Sequence, residues 1–263
     1  MTGDDISFAK EVAQEAGKIL IEYWHERKKL SVLCKAAGEF VSQADCASER
    51  YLRQRLLSAF PEDGWMGEET GTREAGPRRW IVDPLDGTTN FLRGLDHWAI
   101  SIALEDAGEL TLGVVHDPIR QETFSAQIGK GAWLNNEPVS VAQTRDMSHA
   151  LFGTGVPFGA MTHIEDHASD IARLMPHCAG LRRMGAASLD LCYVATGRLD
   201  GFWERRLQLW DIAAGLVLLR EAGAHVEGWR QDERPEESGT IVTAVPELFP
   251  AFSASLRYAS QGV

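Results

Sequence analysis

Basic charge is in deficit in this chain. Lys and Arg together number 26 against 38 Asp and Glu, a formal net charge of −12 over 263 residues. A phosphate backbone asks for a basic footprint, so direct nucleic-acid binding is not expected, although Arg182-Arg183 and Arg205-Arg206 leave room for local basic patches. Long apolar runs are missing too. No stretch approaches the roughly 20 residues that cross a bilayer, and residues 1–10, which include Asp4 and Asp5, lack the basic start and apolar run of a signal peptide. Cysteine is scarce: Cys34, Cys46, Cys178 and Cys192 form neither a CxxC pair nor a zinc-ribbon spacing, and read as reduced thiols of a cytoplasmic protein. Repeats and low-complexity tracts are absent. What remains is an ordinary globular composition, 44% hydrophobic and 24% charged, long enough for one large domain or two packed lobes.

The periodicity predicts alternating helices and sheets. Residues 6–26 place Ile6, Phe8, Val12, Ala16, Ile19, Leu20 and Tyr23 at helical spacing. A short extended pair over 30–43 precedes a second helix, with Asp45 as its expected cap and Pro61 as its stop. Residues 98–105, 110–116 and 122–126 read as an antiparallel meander punctuated at Asp106-Ala107-Gly108 and Asp117-Pro118. The polar stretch 139–150 is the expected junction between a lobe of residues 1–145 and a lobe of residues 146–263. Beyond it, helix and strand alternate over 165–175, 181–184, 186–196, 199–203 and 212–222, with Gly197 and Gly223 where helix C-caps belong, and 229–239 reads as an exposed loop.

The chemistry concentrates where apolar runs end in carboxylates. Trp80-Ile81-Val82 runs straight into Asp83-Pro84-Leu85-Asp86-Gly87-Thr88-Thr89-Asn90-Phe91. Buried carboxylates cost several kcal/mol unless a cation meets them, and no Lys or Arg lies between Ile81 and Leu92, so a metal ion is the local candidate. Two further acidic clusters, Gly67-Glu68-Glu69 and Trp210-Asp211-Ile212-Ala213-Ala214-Gly215, also sit at element ends. Singly each has a bland reading: Glu68-Glu69 a solvated turn, Asp211 an N-cap, Asp83 the start of a turn. Together they offer oxygen-only ligands suited to Mg²⁺, and two such ions about 3.5–4 Å apart can activate water against a phosphate ester. Gly87 would let backbone approach a phosphate, and Thr88 and Thr89 add hydroxyls. Other signals weigh less. His163 and His167 are four apart but lie among Glu165, Asp166 and Asp170, as on a solvated face. Gly153-Thr154-Gly155 with Gly159 misses the dinucleotide fingerprint and is interrupted by Pro157.

These motifs, over roughly residues 6–258, resemble the inositol monophosphatase family of Mg²⁺-dependent, lithium-sensitive phosphatases. Its two signatures appear as Asp83 to Phe91 and Trp210 to Gly215. Gly67-Glu68-Glu69 stands at the expected distance before the first, and Val41-Ser42-Gln43-Ala44-Asp45 matches an earlier acidic element. The resemblance implies a layered αβαβα sandwich, a cytoplasmic homodimer and direct attack of metal-activated water on phosphorus. It implies metal ligation by Glu68, Asp83, the Leu85 carbonyl, Asp86 and Asp211, with two ions and Asp45 as a candidate for a weaker third. It makes Glu68 and Thr88, with Asp83, the catalytic group. Asp86, Gly87, Thr88 and Asp211 contact substrate, with Gly185-Ala186-Ala187 lining the sugar-ring side and Glu204 holding substrate hydroxyls. Ala186 departs from the family's frequent Ser or Thr. Thr89-Asn90-Phe91 favours inositol monophosphate over the branches that act on histidinol phosphate or 3′-phosphoadenosine 5′-phosphate. NADP and fructose 1,6-bisphosphate stay open as substrates, as does a binding role like that of bacterial relatives in antitermination complexes.

Overall fold

The computed structural model describes residues 4–30, 32–36, 39–156 and 164–257. Helix α1 (Asp4–His25) buries a stripe of Ala9, Val12, Ala13, Ala16 and Leu20. A hairpin of β1 (Val32–Ala36) and β2 (Glu39–Ser42) leads into α2 (Gln43–Ala59). The cap of α2 is Ser42 and not Asp45. The Ser42 hydroxyl accepts the Ala44 N–H at 3.1 Å, while Asp45, one turn in, accepts the Ser42 N–H at 2.9 Å and its O–H at 2.6 Å. This is a reciprocal capping box with a carboxylate in its third helical position.

The first sheet holds β3 (Gly64–Gly67), β4 (Gly71–Arg73), β5 (Arg78–Asp86), β6 (Ala99–Asp106), β7 (Glu109–Asp117), β8 (Glu122–Gln127), β9 (Ala132–Leu134) and β10 (Glu137–Val139), in the order β10-β9-β8-β7-β6-β5-β3-β4. The expected meander is its antiparallel centre, and β3 joins β5 in parallel. Short helix α3 (Thr88–Arg93) interrupts the path from β5 to β6. The second sheet holds β11 (Leu151–Thr154), β12 (Gly180–Arg182), β13 (Gly201–Glu204), β14 (His225–Glu227) and β15 (Ile241–Ala244), in the order β12-β11-β13-β15-β14. Around it run α4 (Ile164–Leu174), α5 (Ala187–Ala195), α6 (Leu209–Ala222), α7 (Pro235–Ser238) and α8 (Phe249–Arg257). Helices α1 and α2 cover one face of the first sheet, α5 and α6 lie between the sheets, and α4 and α8 pack together outside the second. That is the αβαβα order.

Side-chain size decides how closely the central layer approaches. Along β6, Ile100, Ile102 and Leu104 join the core under α1 and α2, while Ala99 and Ala103 face α5 and α6. On neighbouring β7, Gly113 meets α6: a Cβ there would stand 2.4 Å from the Ala214 carbonyl oxygen and 2.9 Å from its Cα. Ala213-Ala214-Gly215 is the matching small patch on the helix, and a Cβ on Gly215 would stand 2.5 Å from a Leu191 methyl of α5. Helix α6 therefore lies with its backbone almost on the sheet, and its first turn is fixed relative to the end of β5.

Two further expectations differ from the structure. Residues 229–239 are not simply an exposed loop. They contain α7 with Pro235 buried, and Trp229 lies 3.5 Å beneath the Arg205 guanidinium. The helix that carries His167 is not wholly solvated either. His167 is buried and stacks on Trp203, with ring centroids 5.9 Å apart, and buried Asp170 pairs with Arg205 at 2.6 Å. Amphipathic α4 turns those two polar side chains inward, where an aromatic ring and an arginine take them up. His163, Gly159 and Pro157 lie outside the described residues.

Gly113→Ala should push α6 off the sheet. A loss of about 1–3 kcal/mol is expected for an overpacked core, lowering the melting temperature by about 2–4 °C for each kcal/mol. An unchanged melting curve would mean that the helix does not rest that close.

Candidate active site

A cavity of ≈ 460 Å³ opens between the ends of the two sheets, lined by Glu68, Asp83, Leu85, Asp86, Gly87, Thr88 and Asp211 on one side and by residues of 183–187 and 204–208 on the other. Strand β5 brings two of its carboxylates. Residues three apart in a regular strand point to opposite faces. Here the register against β6 slips: Asp83 pairs with Ser101 but Asp86 with Ala99, leaving β5 one residue longer. Such a bulge re-aims a side chain, and Pro84, which has no N–H to give the ladder, sits within it. Both aspartates thus line the same cavity. Asp83 is buried and accepts the Leu85 N–H at 2.9 Å. Asp86, half-buried, accepts the Ser188 N–H at 2.7 Å and its O–H at 2.6 Å, from the first turn of α5.

The other carboxylates arrive from either side in sequence. Glu68 sits in the turn between β3 and β4, its N–H on the Val82 carbonyl at 3.3 Å, beside Asp83. Buried Glu49 of α2 anchors this turn by accepting the N–H groups of Glu69 (2.7 Å) and Thr70 (2.9 Å). Asp211 is the third residue of α6. Its cap is Gln208, whose N–H it accepts at 2.7 Å, so it repeats the capping box of Asp45, and the bland alternative of an N-cap does not apply to it.

Gly87 takes φ +89°, and a Cβ on it would stand 3.0 Å from the His97 carbonyl and 3.2 Å from the Ala186 Cβ. The turn is thereby pressed against the opposite wall, as only glycine permits. Thr88 directs its hydroxyl at Asp45 Oδ1 (2.9 Å) and the Leu85 carbonyl (3.1 Å). Asp45 lies fully buried behind Thr88 and does not line the cavity. Asn90 bridges the walls, its amide N–H groups reaching the carbonyls of His97 (2.7 Å) and Met184 (2.8 Å). On the far wall, Gly185, Ala186 and Ala187 lead into α5, and the Glu204 carboxylate lies against Gly155, where a Cβ would stand 2.0 Å away.

The electrostatics are those of like charges forced together. Burial pushes Asp83 well above the usual carboxylate range, and the charges of Glu68, Asp86 and Asp211 push it further. Burial, then Asp86, raises Asp211 well above its ordinary value. Asp86 is raised by burial against the restraint of Ser188. Glu204 is pushed up to about 8 by burial, with Asp190 and Asp86 adding to it. Among the described residues no three Asp, Glu, His or Cys side chains stand close enough to hold an ion as they are. The donor set is nonetheless what a hard cation asks for: oxygen only, half-buried, and mutually repulsive until a positive charge arrives.

Several participants escaped the sequence reading. Ser188 and Asp190 follow directly on Gly185-Ala186-Ala187; Asp190 is buried and meets His97 Nε2 at 3.1 Å. Glu49 is one helical turn beyond Asp45, a spacing that could have flagged it. Arg183, Arg205 and Arg206 line the cavity, so cationic groups absent near Asp83 in sequence reach it from the second sheet.

Comparison with known proteins places this geometry. A model of the inositol monophosphatase family matches residues 4–260. A protein of Rhizobium meliloti named inositol-1-monophosphatase is 47% identical over 236 residues, covering 87% of this chain and 86% of its own. The Nus factor SuhB of Pseudomonas aeruginosa is 38% identical, covering 96% and 95%. The crystal structure of extragenic suppressor protein suhB from Bartonella henselae superposes with a TM-score of 0.92 at 36% identity, covering 96% of this chain and 97% of that one.

The raised Glu204 gives a pH signature in metal-free protein. Its carboxyl ionises near 4.5 when unfolded and near 8 when folded, so the stability it contributes is fully present below pH 4.5 and is lost as pH rises to about 8. Wild type and Glu204→Gln should melt alike near pH 4.5 in chelator, with wild type falling progressively behind towards pH 8. A constant or reversed gap would contradict that environment.

Proposed function

Because this chain belongs to the inositol monophosphatase family, we propose that it hydrolyses small phosphate monoesters, inositol monophosphate first, with Mg²⁺. The observation that carries this reading is the convergence of Glu68, Asp83, Asp86 and Asp211, from three separate parts of the sequence, on the cavity that also exposes Gly87 and Thr88. Glu68, Asp83, the Leu85 carbonyl, Asp86 and Asp211 are the groups that would hold two cations. Bound there, these ions would supply Lewis-acid stabilisation of the entering and leaving oxygens and a lower pKa for water.

The chain's own residues do the rest. The Thr88 hydroxyl donates its hydrogen bond to Asp45 Oδ1, which turns its lone pairs towards the cavity to accept a hydrogen bond from the attacking water. Glu68, on the turn that Glu49 anchors, is the second group to orient that water and take its proton. Gly87 brings backbone close to the phosphate. Asp45 already holds the Ser42 N–H and O–H and the Thr88 hydroxyl, so a third, weaker cation beside it would have to displace one of these bonds. On the far wall Glu204 accepts from substrate hydroxyls, and Gly185, Ala186 and Ala187 shape the ring site. Ala186 adds no hydroxyl there, which leaves Glu204 the larger share of recognition. The reading carries with it a homodimer, lithium sensitivity and a cytoplasmic location. The last is supported by Cys46, Cys178 and Cys192, which form no disulfide. The name Nus factor SuhB of several relatives supports a second reading, a protein-binding role in transcription complexes beside catalysis.

Asp83→Asn should remove several kcal/mol of transition-state stabilisation, a fall of about a thousandfold or more in kcat; near-normal phosphate release would sink the assignment. Crystals soaked in Mn²⁺ should give anomalous density beside Glu68, Asp83 and Asp86, and density elsewhere would count against these ligands. Glu204→Ala should reduce turnover of inositol 1-phosphate more than that of an aryl phosphate. Equal losses would mean that Glu204 does not read hydroxyls.

A further inference from the structure

Two cavities adjoin along α2, and neither shares a lining residue with the active-site cavity. One, of ≈ 640 Å³, lies between the helix and the turn from β3 to β4, where Arg50, Arg53, Gln54 and Leu57 face Glu69 and Thr70. The other, of ≈ 510 Å³, continues past the start of α2 to Tyr23, Val41, Ser42 and Gln43. Arg50 and Cys46 line both, so the two form one groove. Positions 50, 53, 54 and 57 are one face of a helix. The groove is basic in an acidic chain: its two arginines outnumber its one acidic lining residue, Glu69. Among the described residues neither Arg50 nor Arg53 makes an ion pair or a side-chain hydrogen bond, whereas Arg55 of the same helix is taken up by Glu11 and Glu15. Like charges one helical turn apart repel, and Leu57, Tyr23 and Val41 supply apolar surface beside them. Guanidinium forks beside apolar surface complement a small organic anion, a carboxylate or phosphate on an apolar body.

The groove reaches the supports of both groups assigned to orient the attacking water. At one end the N–H groups of Glu69 and Thr70 bond to Glu49 at 2.7 and 2.9 Å, and Glu68 directly precedes them. At the other, the Ser42 N–H and O–H bond to Asp45, whose Oδ1 accepts the Thr88 hydroxyl. We propose that this groove is an effector site for a small organic anion, held by Arg50 and Arg53, and that its occupancy strengthens cation binding in the active site by ordering the turn that carries Glu68. A segment already ordered by one ligand costs the second ligand less to order. The coupling is reciprocal, so the cation strengthens anion binding by the same factor. The regulatory part rests on the phosphatase reading above; the anion site itself does not.

The probes are benzoate and phenylphosphonate, which has no ester bond to hydrolyse, with benzyl alcohol as the uncharged control. Each is titrated at fixed ionic strength into the whole chain in chelator and followed by backbone amide NMR shifts. At least one anion should shift amides of residues 46–57 and 69–70 saturably, and the tighter of the two names the head group. Arg50→Gln and Arg53→Gln should each weaken binding about tenfold, the loss of one charge-assisted contact, with melting curve and basal kcat unchanged. Mn²⁺ should bind the anion-saturated protein about fivefold more tightly than the free protein, and Arg50→Gln should abolish that gain. A gain that survives in Arg50→Gln would place the anion at the metal site and overturn the proposal. No saturable shift, shifts confined to the active-site cavity, equal binding of benzyl alcohol, or unchanged affinity in both variants overturns the anion site. An anion bound in the groove with Mn²⁺ affinity unchanged overturns the coupling. Failure to release phosphate from any ester removes the phosphatase reading and leaves both binding measurements standing.

Discussion

Asp83, Asp86 and Asp211 repel one another in a cavity that already disfavours charge, and the architecture around them is arranged to hold them there. Each is tethered by a backbone N–H close to it: Leu85 for Asp83, Ser188 for Asp86, Gln208 for Asp211. A hydrogen bond to a charged group contributes about 1.5–3 kcal/mol, enough to fix the carboxylates in place but not to offset their burial and repulsion. The deficit is what makes the cluster receptive to a cation. The bulge in β5, the pinned turn of Glu68 and the close seat of α6 on the first sheet all serve the same end, which is to stop the carboxylates from relaxing apart.

Much of this was legible in the sequence because it is local. The alternation of helices and sheets follows from periodicity, the resemblance to the family supplies the αβαβα order, and the carboxylates announce themselves by ending apolar runs within two or three residues. What escaped was of two kinds. Sequence alone reads Asp45 as a cap and gives a cap as the bland alternative for Asp211, since an aspartate before a helix usually is one. The reciprocal box that puts them in the third helical position, with Ser42 and Gln208 as caps, depends on backbone turns that composition does not reveal. Glu49, the bridging contacts of Asn90 and the place of the three arginines on the cavity wall are not legible because their partners are far away in sequence. Asn90 reaches the Met184 carbonyl 94 positions on, and nothing near either residue marks the contact. Inward-facing His167 and Asp170 belong here too: their neighbours are charged, but Trp203 and Arg205 lie more than 30 positions further along the chain.

The two walls of the site are not independent. Asn90 bonds to carbonyls on both, Gly87 presses on Ala186, and Asp86 is held by the first turn of α5. The two walls are therefore tied directly to each other by hydrogen bonds and close packing.

The stretch Trp210-Asp211-Ile212-Ala213-Ala214-Gly215 carries two separate messages. In the proposed function Asp211 is chemistry. Ala213, Ala214 and Gly215 are clearance, the small surface that lets α6 lie on Gly113 and against Leu191. A descendant could exchange the aspartate and keep the clearance, and it would retain the layered shape, the outer surfaces and the recognisable signature while losing the catalyst. A lineage built on this scaffold is thus free to evolve members whose value lies in what docks on them, and half of the motif that identifies the family records how it packs and says nothing of whether it still turns over substrate.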